Sequence, residues 1–467
     1  MVLAEFIAVW SLIAGLVICP WISGPAVTDT GRFLSPYSIR VWAVCAGFLY
    51  AGLLALLIFF RRAKANGTSV ARAARTVGSH FIVTAIILVV GFIVADFVMT
   101  WVKPLPAAAR LDVPNARIYG WGYAPYQRIS WMVRDTGEIF HERVNSRGWR
   151  DVEHAAPKTC PRLLLLGDSQ AFGAGVAFDQ AIGRQLQQIL GDRCEVITIA
   201  VPGWGTDQEL LALNHEGWSY QPDVVVLFMT LGNDVLNNMY DHSLFGTAPK
   251  PRFRLVDDSL EFDPLPPWRH PFLRRLLGRS TICGHLKLWY MARHVEIGSE
   301  APQLIQQPGS EEPILINYDP AFEDIENDNS HYSIFTQTWS ERVAEGWRLT
   351  LRLIQEVEAA CRSHSATLVV YAYCQAPSPT PFSIVVGGKT YILEPDKPFR
   401  LLREFCLREG IVWVDEPGNY RAEAWMGVTR YRVDGHLNAL GNRRAAELLA
   451  QWIDERGLFG QPGSGVK

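Results

Sequence analysis

The first hundred residues hold three apolar stretches, each long enough to cross a lipid bilayer. They lie at residues 6–22, 41–60 and 81–102, compared with the roughly 20 apolar residues that a helix needs to span about 30 Å of hydrocarbon. The sequence therefore predicts a membrane region at residues 1–103 with three transmembrane helices. Residues 1–5 carry no Lys or Arg, so we favour an uncleaved anchor over a signal peptide for the first and shortest stretch.

The segment between the second and third stretches is basic, and its charge sets the expected orientation. From residue 61 to His80 this segment has no acidic residue and five basic ones, which are Arg61, Arg62, Lys64, Arg72 and Arg75. Basic loops stay in the cytoplasm, which puts the N-terminus inside and everything after Lys103 on the periplasmic side of an inner (cytoplasmic) membrane. The alternative is an ordinary solvated basic surface. We expect Asp96 to reach the membrane interface rather than to serve a proton relay.

The charge balance argues against one class of partner. With 44 basic and 47 acidic residues, the formal net charge is -3, so the chain lacks the positive potential that nucleic-acid binding requires. We expect contact with the bilayer and no nucleic-acid partner. The sequence leaves the oligomeric state open.

Beyond residue 161 the pattern alternates between short apolar runs and amphipathic segments. The apolar runs lie at residues 163–166, 196–199, 224–229, 367–373 and 411–414, and helices are expected near residues 180–190, 208–219, 338–361, 398–408 and 439–454. Runs without a polar face are typical of parallel strands that are covered on both sides. The predicted fold is three-layer α/β/α with a parallel sheet of about five strands, and its ligand site is expected at their carboxyl ends.

Two further segments interrupt this pattern. Residues 104–160 form a predicted connector with short β segments. Within the α/β domain at residues 161–460, residues 237–337 lose the alternation and read as an insertion, either a lid or substrate platform or a surface excursion without function.

The loops after the first three strands carry groups suited to acyl transfer. Ser169 ends the tripeptide Gly167-Asp168-Ser169 after the first strand, Gly203 follows the second, and Asn233 follows the third. A serine at a strand-to-helix turn exposes its hydroxyl. The N–H groups of Ser169 and Gly203 with the amide of Asn233 can stabilise an oxyanion.

A base and an acid for this serine lie just before the last helix. In Asp434-Gly435-His436, the imidazole can accept the Ser169 proton, and Asp434 can fix its tautomer. The alternative is that His436 is a surface or capping residue.

Together these four blocks resemble the Ser, Gly, Asn and His blocks of SGNH hydrolases, a branch of the GDSL lipases and esterases. The resemblance covers about residues 162–454 and implies a serine nucleophile at Ser169, oxyanion donors at Ser169, Gly203 and Asn233, and Asp434 with His436 as acid and base. The segment at residues 145–151 also resembles the lead-in of membrane-linked bacterial members. Two departures are Ala171, where many relatives carry Thr, and the two-residue spacing of Asp434 from His436.

The sequence predicts no cofactor and no metal site, because its His and Cys residues lack ligand spacing. Cys160 and Cys194 precede the first and second strands by similar offsets. An external compartment would permit a disulfide between them; the alternative is two separate thiols.

The expected function is hydrolysis of an acyl ester, short-chain or acetyl, on an envelope or exported glycan or lipid, through an acyl-Ser169 intermediate. Three alternatives stay open: an O-acyltransferase that uses a glycan hydroxyl as acceptor, a non-catalytic envelope scaffold, and, less favoured, a channel or transporter. Acyl length and natural substrate are not encoded in any motif.

Overall fold

The computed structural model describes most of the chain. It covers residues 36–102, 115–133, 135–155, 157–243, 249–265, 303–306, 313–316, 330–373, 380–416, 426–432 and 434–459, with single positions at 11, 282, 325, 328, 420, 423 and 424. The chain divides into two compact units: residues 1–105, 109–112 and 266–295, and residues 106–108, 113–265 and 296–467.

The first unit contains a helical hairpin. Helices α1 (Pro36–Ala65) and α2 (Val70–Val102) are joined by a short turn at residues 66–69. They pack through a small cluster of Phe59, Ala63 and Ala73. The small side chains of the two alanines let the helices approach closely near the turn.

The membrane prediction is supported only in part. Among the described residues, one helix, Val70–Val102, is long and apolar enough to cross a membrane. Residues 6–22 lie outside the described residues except for position 11, and residues 41–60 lie within α1, whose side chains are described only in part. Three spans are therefore not shown.

The expected basic loop is much shorter than the sequence suggested. Its basic residues lie on helices, with Arg61, Arg62 and Lys64 at the end of α1 and Arg72 and Arg75 at the start of α2. The reason is local: no Pro interrupts this segment, and Gly67 with a φ of 71° makes the reversal in a few residues.

The second unit begins with small elements and continues into an α/β domain. Its elements, in chain order, are α3 (Ala116–Tyr119), β1 (Arg128–Met132), β2 (Ile139–Arg143), β3 (Arg162–Gly167), α4 (Ser169–Phe172), α5 (Ile182–Leu190), β4 (Glu195–Ala200), α6 (Thr206–His215), β5 (Val224–Thr230), α7 (Leu231–Asn238), β6 (Arg252–Val256), β7 (Ser259–Asp263), β8 (Gln303–Gln306), β9 (Pro313–Ile316), α8 (Glu341–Ser363), β10 (Thr367–Tyr373), β11 (Phe382–Val386), β12 (Lys389–Leu393), α9 (Lys397–Glu409), β13 (Val412–Val414) and α10 (Ala439–Glu455).

Five of these strands form the predicted parallel sheet, in the order β13-β10-β5-β3-β4. Alternate residues of β3 face opposite layers. Leu163 and Leu165 pack in one core with α5 and α10, and Leu164 and Leu166 pack in the other with α6, α8 and α9. Because both faces of the sheet are covered, its strands are continuous apolar runs in the sequence. The prediction of a three-layer fold is confirmed.

The remaining strands pair as four antiparallel hairpins, β1-β2, β6-β7, β8-β9 and β11-β12. The β1-β2 hairpin lies in the predicted connector, where short strands were expected. The insertion carries β6-β7 and β8-β9. The nucleophile, glycine and asparagine motifs all follow strands of the parallel sheet at their carboxyl ends.

Candidate active site

The predicted nucleophile lies on a tight strand-to-helix turn. β3 ends at Gly167, where a Cβ atom would approach the Phe228 carbonyl oxygen to 2.9 Å and the Ala171 Cβ to 2.6 Å, so only glycine fits. Asp168 caps α4 by accepting from the Gln170 N–H at 2.9 Å. Ser169 is the first residue of α4, and its N–H has no acceptor among the described residues. This N–H is available to a developing oxyanion.

Asp168 connects the ends of two neighbouring strands. Besides the Gln170 N–H, its carboxylate accepts from the Thr230 hydroxyl at 3.0 Å and from the Asn233 amide at 2.6 Å. Burial raises the pKa of the Asp168 carboxyl, although these donors and His436 act in the opposite direction. The contact places the Asn233 amide beside the nucleophile turn and leaves its second N–H for another acceptor.

Gly203 lies in a loop held from both sides. Its φ of 79° is in the left-handed region that favours glycine. Trp121 donates to the Pro202 carbonyl at 2.9 Å, and the Asn237 amide donates to the Trp204 carbonyl at 3.2 Å. The Gly203 N–H has no acceptor among the described residues. A second free backbone donor therefore follows β4.

Trp204, next to Gly203, is fully buried. Its ring packs against Tyr119 and Trp149 with centroids 5.2 and 5.9 Å apart. It therefore supports the loop that carries Gly203 from the core.

The predicted acid and base are paired. His436 Nδ1 is hydrogen-bonded to the Asp434 carboxylate, and both side chains are largely buried, with 17% and 8% of their areas exposed. Because Nδ1 is engaged by a carboxylate, the other ring nitrogen, Nε2, is left for proton exchange with a nucleophile.

Gln170 brings this pair to the nucleophile turn. Its side chain accepts from the Leu437 N–H at 3.0 Å and donates to the Gly435 carbonyl at 3.5 Å. These two residues flank His436, and Gln170 itself follows Ser169. The sequence could not assign this role to Gln170, because the contact joins positions more than 260 residues apart.

The serine and the imidazole are not hydrogen-bonded to each other in the part of the chain that the structure describes. The ring of Trp131, from β1, meets the His436 ring edge-on with centroids 5.7 Å apart. Trp131 also contacts Phe172, the last residue of α4, at 6.2 Å. A single aromatic side chain thus touches both the base and the helix that carries the serine.

Arg150, from the segment at residues 145–151, holds the chain that follows the nucleophile. Its guanidinium donates to the carbonyls of Phe172, Gly173 and Val176 at 2.6, 2.8 and 2.7 Å and pairs with Glu142. The sequence resemblance pointed to this segment without giving a role to any of its residues. Their contacts show that it is part of the site.

Below the oxyanion loops lies a buried group of charges. Asp207, Glu209, Asp234 and Lys250 are 0–2% exposed, and Lys250 pairs with Asp207. Among the residues that the structure describes, neither oxygen of Glu209 has a hydrogen-bond partner. Burial, with the neighbouring carboxylates, raises the pKa values of Glu209 and Asp234 well above their usual range. One ammonium faces three carboxylates here, so burial and the repulsion between the carboxylates both favour the protonated forms of Glu209 and Asp234.

Within the described residues, no cluster of three or more His, Cys, Asp or Glu side chains has the geometry of a metal site. Cys160 and Cys194 are free thiols. They lie at the adjacent starts of β3 and β4, as expected, but the proposed disulfide is not formed. Burial and then the proximity of Cys160 raise the pKa of the Cys194 thiol to about 12.

Comparisons with known proteins gave structural neighbours only. No family model matches the chain, and no curated protein matches it. An acetyl xylan esterase structure is 14% identical with a TM-score of 0.30, covering 62% of this chain and 99% of that chain. A lipase/acylhydrolase from Enterococcus faecalis is 13% identical with a TM-score of 0.30, covering 63% and 96%. A GDSL-like lipase from Bacteroides thetaiotaomicron is 9% identical with a TM-score of 0.30, covering 65% and 93%.

Proposed function

We propose that this chain is a serine hydrolase that cleaves acyl esters, with Ser169 as nucleophile, His436 as base and Asp434 as the acid that orients it. The observation that carries the proposal is the bridge made by Gln170. It joins the residue after Ser169 to both neighbours of His436, so that a hydroxyl and a carboxylate-paired imidazole lie on loops held together.

The oxyanion of the tetrahedral intermediate would be stabilised by three donors. The N–H groups of Ser169 and Gly203 have no other acceptor in the described chain, and the Asn233 amide retains one N–H beyond its bond to Asp168. Removing one such donor typically lowers turnover by about 100- to 1000-fold.

The reaction proceeds in two halves. In the first, Nε2 of His436 accepts the Ser169 proton as the hydroxyl oxygen bonds to the carbonyl carbon. The same proton then passes to the leaving alkoxide as the ester C–O bond breaks. In the second half, water gives its proton to His436 and attacks the acyl-serine, and the carboxylic acid leaves as the proton returns to Ser169.

We further propose that the second unit lies outside the membrane and meets an ester on an envelope glycan or lipid. The support is the apolar helix α2 and the basic residues that flank the turn before it. We propose that the acyl group is short, with acetyl as the first candidate.

The decisive assay uses the full chain in detergent with p-nitrophenyl acetate and longer p-nitrophenyl esters. The Ser169→Ala variant should lose at least about 1000-fold in kcat, since the covalent step is removed. Ser363→Ala, which alters an exposed serine near the end of α8, is the matched control and should keep wild-type turnover. Undiminished turnover by Ser169→Ala would refute the nucleophile assignment. Supplying an oligosaccharide acceptor then distinguishes hydrolysis, which yields only free acid, from acyl transfer, which yields acylated sugar.

A further inference from the structure

The loop that carries the proposed acid and base is a small hairpin of its own. Arg430 and Leu437 form an antiparallel bridge, and the Tyr431 N–H donates to the His436 carbonyl at 2.9 Å. Gly435, with a φ of 82°, forms part of the reversal between them. The loop, residues 430–437, leads into α10 at Ala439, and hydrogen bonds from distant parts of the chain hold it from outside.

Residues of this loop are hydrogen-bonded to the segment that follows Ser169. Gln170 contacts the backbone on both sides of His436, and the Tyr431 hydroxyl donates to the Gly175 carbonyl at 3.1 Å. Neither contact reaches Asp434. The backbone N–H of Asp434, the proposed acid, has a separate support.

That support comes from Asp135, in the turn of the β1-β2 hairpin. One carboxylate oxygen accepts from the Arg432 N–H at 2.7 Å, and the other accepts from the Asp434 N–H at 2.8 Å. Bonds from backbone N–H groups to a carboxylate are charge-assisted, and two of them fix orientation as well as distance. The contact joins positions 297 and 299 residues apart in the chain.

A second contact from the same hairpin reaches the base itself. Trp131 lies on β1, four residues before Asp135, and its ring meets the His436 imidazole at an interplanar angle of 89°. Edge-on aromatic contacts have a preferred geometry. The hairpin therefore contacts the backbone of the acid through Asp135 and the side chain of the base through Trp131.

We propose that the β1-β2 hairpin is part of the catalytic apparatus and that Asp135 is a positioning residue, which holds the Asp434–His436 loop in register with Ser169. This inference rests on the proposed function. Asp135 touches no reacting atom; it acts through the backbone of Asp434. Displacement of a catalytic group by about 1 Å can lower turnover by about 100-fold, so loss of this support is expected to act on kcat.

The test compares Asp135→Asn with Glu138→Gln in the full chain, using p-nitrophenyl acetate. Both changes remove one negative charge from the same exposed hairpin turn, but Glu138 makes neither bond to the loop. The Asn side chain keeps one acceptor oxygen and replaces the other with a donor, which cannot accept an N–H. We expect Asp135→Asn to lower kcat by about 10- to 100-fold with little change in KM, and Glu138→Gln to behave as wild type.

A second measurement does not depend on activity. Amide hydrogen exchange in residues 430–438 should accelerate in Asp135→Asn and not in Glu138→Gln, while the melting temperatures of both stay close to that of the wild type. Unchanged kcat or unchanged exchange in Asp135→Asn would overturn the proposal. A large fall in its melting temperature would also overturn it, because Asp135 would then support the fold as a whole. If Ser169→Ala keeps full turnover, the proposed function fails instead.

Discussion

Replacing Arg150 with Met should destabilise the second unit more than the same change at Arg147, the other arginine of the segment at residues 145–151. Its side chain is 4% exposed, pairs with Glu142 and donates to three backbone carbonyls behind the nucleophile. Met keeps much of the apolar volume and removes every donor. The Glu142 carboxylate, 16% exposed, and the carbonyls of Phe172 and Val176 would then lose the guanidinium as their partner, and the Gly173 carbonyl would keep the Val176 N–H at 3.3 Å.

The magnitude follows from what is left unpaired. Breaking one side of a buried ion pair costs about 3–5 kcal/mol. We take about 4 kcal/mol as the loss in free energy of unfolding, since a buried hydrogen bond from a charged donor contributes about 1.5–3 kcal/mol in its own right. The second unit is larger than a 250-residue domain, so at roughly 1.5 °C per kcal/mol the melting temperature should fall by about 6 °C.

Arg147→Met is the matched control, three residues earlier in the same segment. Arg147 is 43% exposed and pairs with Glu216 at 3.2 Å, an arrangement that typically contributes about 0–1 kcal/mol. Thermal unfolding of the full chain, followed by tryptophan fluorescence, measures both variants. If Arg150→Met unfolds within about 1 kcal/mol of Arg147→Met, the guanidinium does not hold the nucleophile turn in the way inferred from its contacts.

Two further predictions concern the buried charges and the membrane. The raised pKa values of Glu209 and Asp234 mean that their protons favour the folded state; this stability is complete below their ordinary carboxyl pKa and is lost as pH rises toward the raised folded values. The wild-type melting temperature should therefore fall more steeply than that of Glu209→Gln as pH rises above the ordinary carboxyl range, and parallel curves would contradict the raised pKa of Glu209. Reporter fusions after Ala65 and after Lys467 should place these points on opposite sides of the membrane, and the same side for both would refute the proposed topology.

The sheet was predictable because burial on both faces leaves a strong local signal. Strands β3, β4 and β5 match the predicted runs at residues 163–166, 196–199 and 224–229, and each strand extends its run by at most one residue at either end. The helices followed for a similar reason, since each has one apolar face toward the sheet. The hairpin of α1 and α2 was less predictable in detail, because basic residues are compatible with helix ends as well as with a loop.

Residues of the candidate site could be predicted only where a side chain or glycine suited to acyl transfer directly follows a strand. Ser169, Gly203 and Asn233 each follow a strand, and that position carried the prediction. Asp135 could not be found this way, because an aspartate in a hairpin turn is ordinary in sequence and acquires its role only when a loop nearly 300 residues later meets it. Its contacts are a property of the tertiary structure alone.

The arrangement of the β1-β2 hairpin also bears on where a recombinant fragment of this protein can begin. A fragment that starts at β3, where the apolar alternation starts, would retain Ser169 and His436 but lose Arg150, Asp135 and Trp131. Such a fragment would contain the proposed nucleophile and base and lack the side chains that contact their loops. A fragment that keeps these contacts therefore begins upstream of the hairpin, and the strand pattern by itself marks an N-terminal border that is too late.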